Sequence, residues 1–131
     1  MKLGKYFTLE ELTVTNTGLV NSPSKMEINK LKMLVENVLD PLRELYGKPI
    51  KVNSGYRSPL VNKTIGGVAT SEHVKGQAAD ITGGSKEENK KLFELIRDNL
   101  TFRQLICEHD YQWIHVSFDS TDNKKQVLAI K

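Results

Sequence analysis

The feature that most constrains the fold is a helical repeat of apolar residues in the first third of the chain. Ser24 precedes the repeat and Glu27 follows three positions later, which is the arrangement of a capping box at the start of a helix. Apolar residues then recur at intervals of three and four as far as Leu45, so the pattern predicts one long core helix. Pro41 falls inside this pattern, where its missing amide donor predicts a kink or a break just before it.

Shorter helices and several strands are predicted in the rest of the chain. Thr8 with Glu11, and Ser85 with Glu88, have the same capping-box spacing and predict one short and one longer helix. Residues 55–70 are rich in Gly, Ser, Asn and Thr and are predicted to be mostly loop. Strand patterns occur at residues 50–54, 78–82, 104–108, 113–118 and 126–130. Because helices come first and strands last without regular alternation, we expect an α+β domain with a mainly antiparallel sheet.

Composition and charge exclude several classes of function. The 131 residues fit a single domain spanning 1–131, and a hydrophobic content of 38% is enough for one core. A net charge of +3 with scattered basic residues predicts no nucleic-acid partner, and no apolar stretch is long enough to predict membrane insertion. Because Cys107 is the only cysteine, an internal disulfide and a multi-thiolate zinc site are excluded, so a metal would have to be held by His, Asp or Glu.

His115 lies in a strand pattern whose period of two separates core from non-core side chains. Ile114, Val116 and Phe118 share the face that is predicted to join the core, so His115 projects from the opposite face together with Trp113. A histidine on a rigid strand away from the core can hold a ligand with little movement. A single histidine is a weak signal, however, and a metal site needs partners elsewhere in the chain.

The segment 71–81 supplies the candidate partners of His115. It contains His73 and, in an apolar strand pattern, Asp80, whose carboxylate would be costly to bury without a partner. Two imidazoles and one carboxylate can hold a zinc ion and leave a fourth position for water, as in catalytic zinc sites. On spacing alone, an ion pair of Asp80 with His73 or Arg57 without a metal explains the segment equally well.

Several motifs together resemble one family of zinc peptidases. The first two read Ser71-x-His73-x-x-Gly76-x-Ala78-x-Asp80 and Trp113-x-His115. The further matching segments are Phe7–Leu12, Asn53–Ser58, Asn62, Gly66-Gly67 and Gln104–Ile106. They are similar to the zinc D-alanyl-D-alanine carboxypeptidases and related phage endolysin peptidases, and most similar to the small single-domain branch found in phages and prophages. The resemblance implies the hedgehog and D-Ala-D-Ala peptidase fold, with one zinc ion (Zn²⁺) bound by His73, Asp80 and His115.

The resemblance also implies roles for residues around the zinc ion. Arg57 is similar to a cleft arginine that binds substrate or stabilises the charge developing on the carbonyl oxygen, and a guanidinium group suits either role. We expect Ser71 to orient a metal ligand or the substrate. Arg57 is therefore a predicted catalytic and substrate-binding residue, and Ser71 and Trp113 are predicted substrate-binding residues.

The general base is the part of the site where this sequence departs from the family. Many members have an acidic residue three positions before the last ligand histidine, whereas this chain has Gln112, which cannot accept a proton. The nearest acidic residues are Glu108, Asp110 and Glu72. We expect Glu108 to be the catalytic base, because its strand face is opposite the predicted core, with His109 or Asp110 as alternatives.

These features predict a zinc metallopeptidase that hydrolyses peptide bonds in the stem peptides of bacterial peptidoglycan. Cleavage of D-Ala-D-Ala as a carboxypeptidase or of L-Ala-D-Glu as an endopeptidase fits the ligand set, as does a role as a phage endolysin. The alternatives are a non-catalytic zinc-containing module that binds cell wall or protein, and a metal-free structural domain. We expect a monomer made in the cytoplasm, since residues 1–7 lack the pattern of a signal peptide, that acts on the cell wall after release or as a phage component.

Overall fold

Polar caps start the first two helices of the protein. The computed structural model describes residues 1–130, and Lys131, the last residue of the predicted domain, lies outside the described residues. Thr8 and Ser24 each accept a hydrogen bond from the amide of the third helical residue, a glutamate whose side chain bonds back to the cap. The capping boxes predicted at Thr8 and Ser24 are therefore confirmed. The described helices are α1 (Leu9–Leu12), α2 (Lys25–Leu34), α3 (Asp40–Tyr46), α4 (Pro59–Thr64) and α5 (Lys86–Asn99).

Of the kink or break predicted before Pro41, the break does not occur, and a π-helical irregularity of the helix lies at that position instead. A π-helical segment, Val35–Leu39, joins α2 to α3, and the Asp40 amide donates to the Val35 carbonyl five residues back. Pro41 then lies in the first turn of α3, where the lack of an amide hydrogen is tolerated. The buried apolar side chains consequently continue from α2 through the π-helical segment to Leu42.

The segment that was predicted to be mostly loop contains a helix. Ser58 Oγ accepts a hydrogen bond from the Val61 amide at 3.2 Å, and Pro59 occupies the first position of α4. Six residues are too few to show a helical repeat, so the only local signal was the serine and proline at the start. The helix buries Val61 and Asn62 and so brings a polar side chain under the loop that follows β1.

Five strands form one sheet in the order β1-β2-β4-β3-β5. They are β1 (Lys51–Ser54), β2 (Ala78–Thr82), β3 (Gln104–Glu108), β4 (Trp113–Ser117) and β5 (Gln126–Ala129). The pairs β1–β2, β2–β4 and β3–β4 are antiparallel, whereas β5 pairs with β3 in parallel. Helices and a sheet in one chain agree with the predicted α+β class. The parallel pairing was not predicted. It arises because β4 is already paired with β2 on one side and β3 on the other, so the chain crosses β3 after β4 and adds β5 at the free edge of β3.

One face of the sheet is apolar and the other is polar. α5 packs against β2, β3 and β4, and the apolar face is fully buried at Ala79, Ile81, Leu105, Ile114 and Val116. Burial of each leucine-sized side chain contributes about 1.5–3 kcal/mol relative to exposure. The alternate residues of the same strands point to the opposite face, where they line a cleft. None of the described helices combines the length and the apolar character needed to cross a membrane.

Candidate metal centre

The antiparallel pairing of β2 with β4 places Asp80 directly opposite His115. Side chains of paired residues lie on the same face of a sheet and within reach of each other. The neighbours of His115 along the strand, Ile114 and Val116, are fully buried in the core, whereas His115 lines the cleft on the other face. The face predicted for His115 from the strand period is therefore confirmed.

His73 reaches the same place from a compact turn between α4 and β2. Its amide donates to Ser71 Oγ at 3.2 Å, and its carbonyl accepts from the amides of Arg57 at 3.0 Å and Gly76 at 3.2 Å. Gly76 has a φ of +77°, and a Cβ there would lie 2.7 Å from the Glu27 carbonyl oxygen. The turn can therefore pass this close to α2 only with glycine at position 76.

The three predicted metal ligands converge on one carboxylate oxygen. Asp80 Oδ1 lies 3.0 Å from His115 Nδ1 and 3.2 Å from His73 Nε2. One ligand atom from each residue lies within 4.8 Å of the other two, and no residue of the three is more than 9% exposed. Two imidazole nitrogens and one carboxylate oxygen are thus gathered in a buried site, and this donor set fits zinc.

A backbone carbonyl decides which nitrogen of His73 carries the hydrogen. Nδ1 lies 2.7 Å from the Gly55 carbonyl oxygen, and because a carbonyl oxygen only accepts, Nδ1 must be the protonated nitrogen. Neutral His73 then turns the lone pair of Nε2 toward Asp80 Oδ1, so that two acceptors face each other at 3.2 Å. A cation between them, either a proton or a metal ion, removes this conflict, and a zinc ion matches the donor types.

Arg57 neutralises the other oxygen of Asp80. Its Nη2 lies 3.1 Å from Asp80 Oδ2. Burial by itself would raise the pKa of Asp80, but the interactions with His115 and His73 outweigh burial and hold that pKa well below its usual range. The carboxylate is therefore ionised near neutral pH. The Arg57 ion pair considered from the sequence is therefore present, and His73 Nε2 lies 3.2 Å from Asp80 in the arrangement that fits zinc.

Polar neighbours hold the Arg57 side chain beside the ligands. Its Nε donates to Ser54 Oγ at 3.0 Å, and its Nη1 lies 3.5 Å from Asn62 Oδ1. Burial lowers the pKa of Arg57, whereas the negative charges of Asp80 and Glu108 act in the opposite direction. A guanidinium group stays protonated in proteins, so Arg57 is a fixed cation at this site.

The ligand set opens onto a cleft with a volume of about 640 Å³. All the site residues predicted from the sequence line this cleft, namely Arg57, Ser71, His73, Asp80, Glu108, Trp113 and His115. Glu108 and Trp113 are paired across β3 and β4, and both line the cleft. The fold thereby brings together residues from three strands and two loops.

Comparisons with known proteins agree with this geometry. The family model of peptidase M15 matches residues 5–117, which is most of the chain. The chain belongs to the M15 peptidase family. A segment of 49 residues is 45% identical to the zinc D-Ala-D-Ala carboxypeptidase of Streptomyces albus G; it covers 37% of this chain and 19% of that protein. The chain thus matches only about a fifth of the length of that relative.

Two of the acidic residues considered as a base from the sequence, Glu72 and Glu108, line the cleft. Glu72 faces Arg103 Nε at 3.2 Å, so it is already engaged in an ion pair. Glu108 lines the cleft without an ion pair among residues 1–130, and its charge acts on Arg57. The candidates His109 and Asp110 lie outside the cleft lining. The geometry therefore favours Glu108 over the alternatives.

Two supporting residues of the M15 site had no role assigned from the sequence. Gly55 provides the carbonyl that orients His73, and a Cβ on Gly55 would lie 2.3 Å from the Leu12 carbonyl oxygen. Asn62 is 3% exposed, and its Nδ2 donates to the Val68 carbonyl at 2.7 Å while its Oδ1 faces Arg57. Both residues belong to the matching motifs, but their roles depend on contacts that only the folded chain reveals.

Proposed function

We propose that this M15 peptidase is a zinc-dependent enzyme that hydrolyses peptide bonds in the stem peptides of bacterial peptidoglycan. The observation that carries the proposal is the set of His73, Asp80 and His115, which opens onto a cleft containing Glu108 and Arg57. Family membership and the matching segment of a zinc D-Ala-D-Ala carboxypeptidase support the same class of reaction. We further propose one zinc ion per chain, a single domain, and the hedgehog and D-Ala-D-Ala peptidase fold.

The metal would be held by His73 Nε2, His115 Nδ1 and Asp80 Oδ1. Bound there, zinc supplies Lewis acidity toward a peptide carbonyl and lowers the pKa of a water molecule. Three protein ligands leave one position for water or substrate, which is the layout of a catalytic zinc site. The Gly55 carbonyl supports this role, because it takes the hydrogen of His73 Nδ1 and leaves Nε2 available for a metal.

The remaining cleft residues carry the proton and charge steps in the proposed mechanism. Glu108 takes a proton from the attacking water and later gives it to the leaving amine nitrogen. Arg57 stabilises the negative charge that develops on the carbonyl oxygen. Its Nη1 lies 3.5 Å from Asn62 Oδ1, which is a long and weak hydrogen bond, so Nη1 is the donor available to substrate. Trp113 and Ser71, which line the same cleft, contact the substrate.

The charge pattern of the cleft suits a short peptide with charged groups of its own. Beyond the ligands, the lining carries the cations Lys75 and Arg103 and the anions Glu72 and Asp119. Cleavage of the terminal D-Ala-D-Ala bond as a carboxypeptidase and cleavage of the L-Ala-D-Glu bond as an endopeptidase both fit this cleft. We propose that the enzyme acts on the cell wall as a monomer, and a phage endolysin is one setting in which it would do so.

Incubation with purified peptidoglycan tests the reaction directly. The zinc-loaded protein should release peptide fragments, a chelator should stop the release, and added zinc should restore it. Mass spectrometry of the fragments identifies the bond that is cut. Elemental analysis should find one zinc ion per chain. The proposal is wrong if walls from several bacteria yield no fragments that depend on zinc, and a chain without bound metal would support a structural domain.

Substitution of the proposed base separates catalysis from metal binding. Glu108→Gln should lower kcat by about 100-fold or more, because general-base catalysis contributes on that scale, while zinc content is retained. Asp110→Asn is the matched control, since it neutralises a carboxylate in the adjoining turn that does not line the cleft. Equal activities of the two variants would exclude Glu108 as the base.

A zinc-containing binding module for cell wall or protein is the second candidate. The observation that favours it is Gln112, which stands where many related peptidases have an acidic residue. A binding module would hold zinc and wall peptides without releasing fragments, and Glu108→Gln would leave its affinity for wall peptides unchanged. Binding and cleavage assays on the same preparation therefore decide between the two functions.

A further inference from the structure

The turn between β3 and β4 has an unusual backbone conformation. Its consecutive residues His109, Asp110 and Tyr111 have φ angles of +48°, +56° and +63°. Residues with a side chain rarely adopt this left-handed region, because their Cβ crowds the following carbonyl oxygen. Three such residues in a row persist only where the surrounding structure holds them.

Asn89 of α5 is the buried residue that holds this turn. It is 1% exposed, and its Nδ2 donates to the carbonyl oxygens of Tyr111 at 2.8 Å and Gln112 at 3.1 Å. Its Oδ1 accepts from the Gly83 amide at 2.7 Å and the Thr82 hydroxyl at 3.0 Å. The whole hydrogen-bonding capacity of one amide side chain thereby links the end of β2 to the β3–β4 turn.

The turn joins two residues that line the cleft. Glu108 is the last residue of β3, Trp113 is the first residue of β4, and the two are paired directly. Within the turn, the ring of His109 lies 5.0 Å from that of Trp113. Another turn conformation would move Glu108 and Trp113 relative to His115, which lies two residues further along β4.

We propose that Asn89 and the left-handed turn 109–111 are a positioning device that places the Glu108 carboxylate and the Trp113 ring for catalysis. The proposal rests on the proposed function, in which Glu108 is the general base. Asn89 does not line the cleft and acts through the turn. The proposed base is thus the Glu108 carboxylate at the end of β3, because Gln112 cannot accept a proton.

The variants Asn89→Asp and Thr82→Val separate this role from general stability. Asn89→Asp keeps an oxygen for Thr82 and Gly83 but loses both donors to the turn. Thr82→Val removes two bonds on the β2 side, to Asn89 Oδ1 and from the Gly84 amide, and leaves the turn bonds intact. Misplacing a catalytic group by about 1 Å can cost about 100-fold in rate. In zinc-loaded protein, we expect Asn89→Asp to lower kcat by about 10- to 100-fold with unchanged zinc affinity, and Thr82→Val to change kcat less than about twofold.

Exposed position 110 provides a second test if Asn89→Asp does not fold. Glycine adopts the left-handed region without steric cost, whereas proline is fixed at negative φ and lacks the amide that Asp110 donates to the Ile130 carbonyl. We expect Asp110→Gly to keep kcat and Asp110→Pro to lower it as far as Asn89→Asp. Trp113 is the only tryptophan, so its emission spectrum and its quenching by acrylamide report the turn without any activity assay.

Wild-type kcat and unchanged Trp113 emission in both Asn89→Asp and Asp110→Pro would overturn the inference. A loss of kcat that comes with an equal loss of zinc affinity would overturn it too, because the defect would then be general. If the wild-type chain releases no fragments from cell walls, the proposed function fails. The Trp113 emission of the same variants still decides in that case whether Asn89 holds the turn.

Discussion

Asp80 and Glu88 are two carboxylates with similar numbers of polar partners and different consequences. Asp80 faces Arg57 through one oxygen and the imidazoles of His73 and His115 through the other. Its carboxylate is buried, and the fixed tautomer of His73 turns a lone pair toward it. The Asp80 cluster is therefore incomplete until a cation lies between these acceptors.

Glu88, in the first turn of α5, is surrounded by groups that carry their own hydrogens. Its Oε1 accepts from the Tyr46 hydroxyl at 2.5 Å and from Lys48 Nζ at 2.7 Å, and its Oε2 accepts from Lys91 Nζ at 2.9 Å. Both lysines are more than half exposed. This cluster needs nothing further. The contrast shows that burial and the type of partner, rather than the number of contacts, distinguish a metal site from a surface ion-pair network.

The largest effect should follow from Asp80→Asn. Loss of the carboxylate removes a proposed zinc ligand. Replacement of a residue that only hydrogen-bonds to a ligand already lowers metal affinity by about 10–100-fold, so zinc affinity should fall by more than about 100-fold here. The metal-free protein should also lose about 3 kcal/mol of unfolding free energy, because Arg57, whose side chain is only 15% exposed, loses its counter-ion. Zinc titration and chemical denaturation measure the two effects. Glu88→Gln is the control, and equal zinc affinities of the two variants would contradict the contrast.

Arg57 and Lys48 are the corresponding cations of the two clusters, and their replacement gives an intermediate effect. Arg57→Lys keeps a positive charge near Asp80, but an ammonium group cannot also reach Ser54 and substrate with the same geometry. We expect kcat/KM to fall by about 100-fold, as for loss of one oxyanion donor, while zinc stays bound. Lys48→Met should leave kcat/KM unchanged. Full activity of Arg57→Lys would reduce Arg57 to a counter-ion of Asp80.

Local spacing was sufficient to predict helix starts and strand faces. The caps at Thr8 and Ser24 are present as expected, because a capping box involves residues only three apart. The prediction at Ser85 was half right: the Glu88 amide donates to Ser85 Oγ at 3.1 Å, but the Glu88 side chain turns to Tyr46 and Lys48 instead of returning to the cap. Tertiary partners of Glu88 therefore overrode the local capping-box pattern. Before Pro41, the π-helical segment departs from the local pattern in a similar way.

The three candidate metal ligands could be recognised in the sequence, whereas the groups that orient them could not. His115 and Asp80 are informative because a histidine on a strand and a carboxylate in an apolar segment violate the local pattern around them. The Gly55 carbonyl and the Asn89 side-chain amide produce no comparable signal in the sequence. A carbonyl is common to every residue, and an asparagine in a helix is ordinary until its partners across the fold are known.

The smallest effect is expected at Glu88 and is confined to acid pH. Hydrogen bonds from Lys48, Tyr46 and Lys91 lower the pKa of Glu88 from its usual 4.5 to about 2 in the folded chain. Between these values the folded chain keeps Glu88 ionised while the unfolded chain binds a proton. The contribution of Glu88 to stability is therefore complete above its usual pKa and is lost as the pH falls toward about 2.

Glu88→Gln should accordingly flatten the fall of Tm with decreasing pH in this acid range, and Glu87→Gln controls for the loss of one negative charge from the same turn. Metal-free protein is used for both, so that protonation of zinc ligands and release of zinc do not add to the slope. Because the lysine partners are exposed, added salt should shrink the difference between the two variants. An acid slope in Glu88→Gln as steep as in the wild-type chain would show that the Tyr46, Lys48 and Lys91 contacts do not stabilise the fold, and the contrast with the buried Asp80 cluster would become larger still.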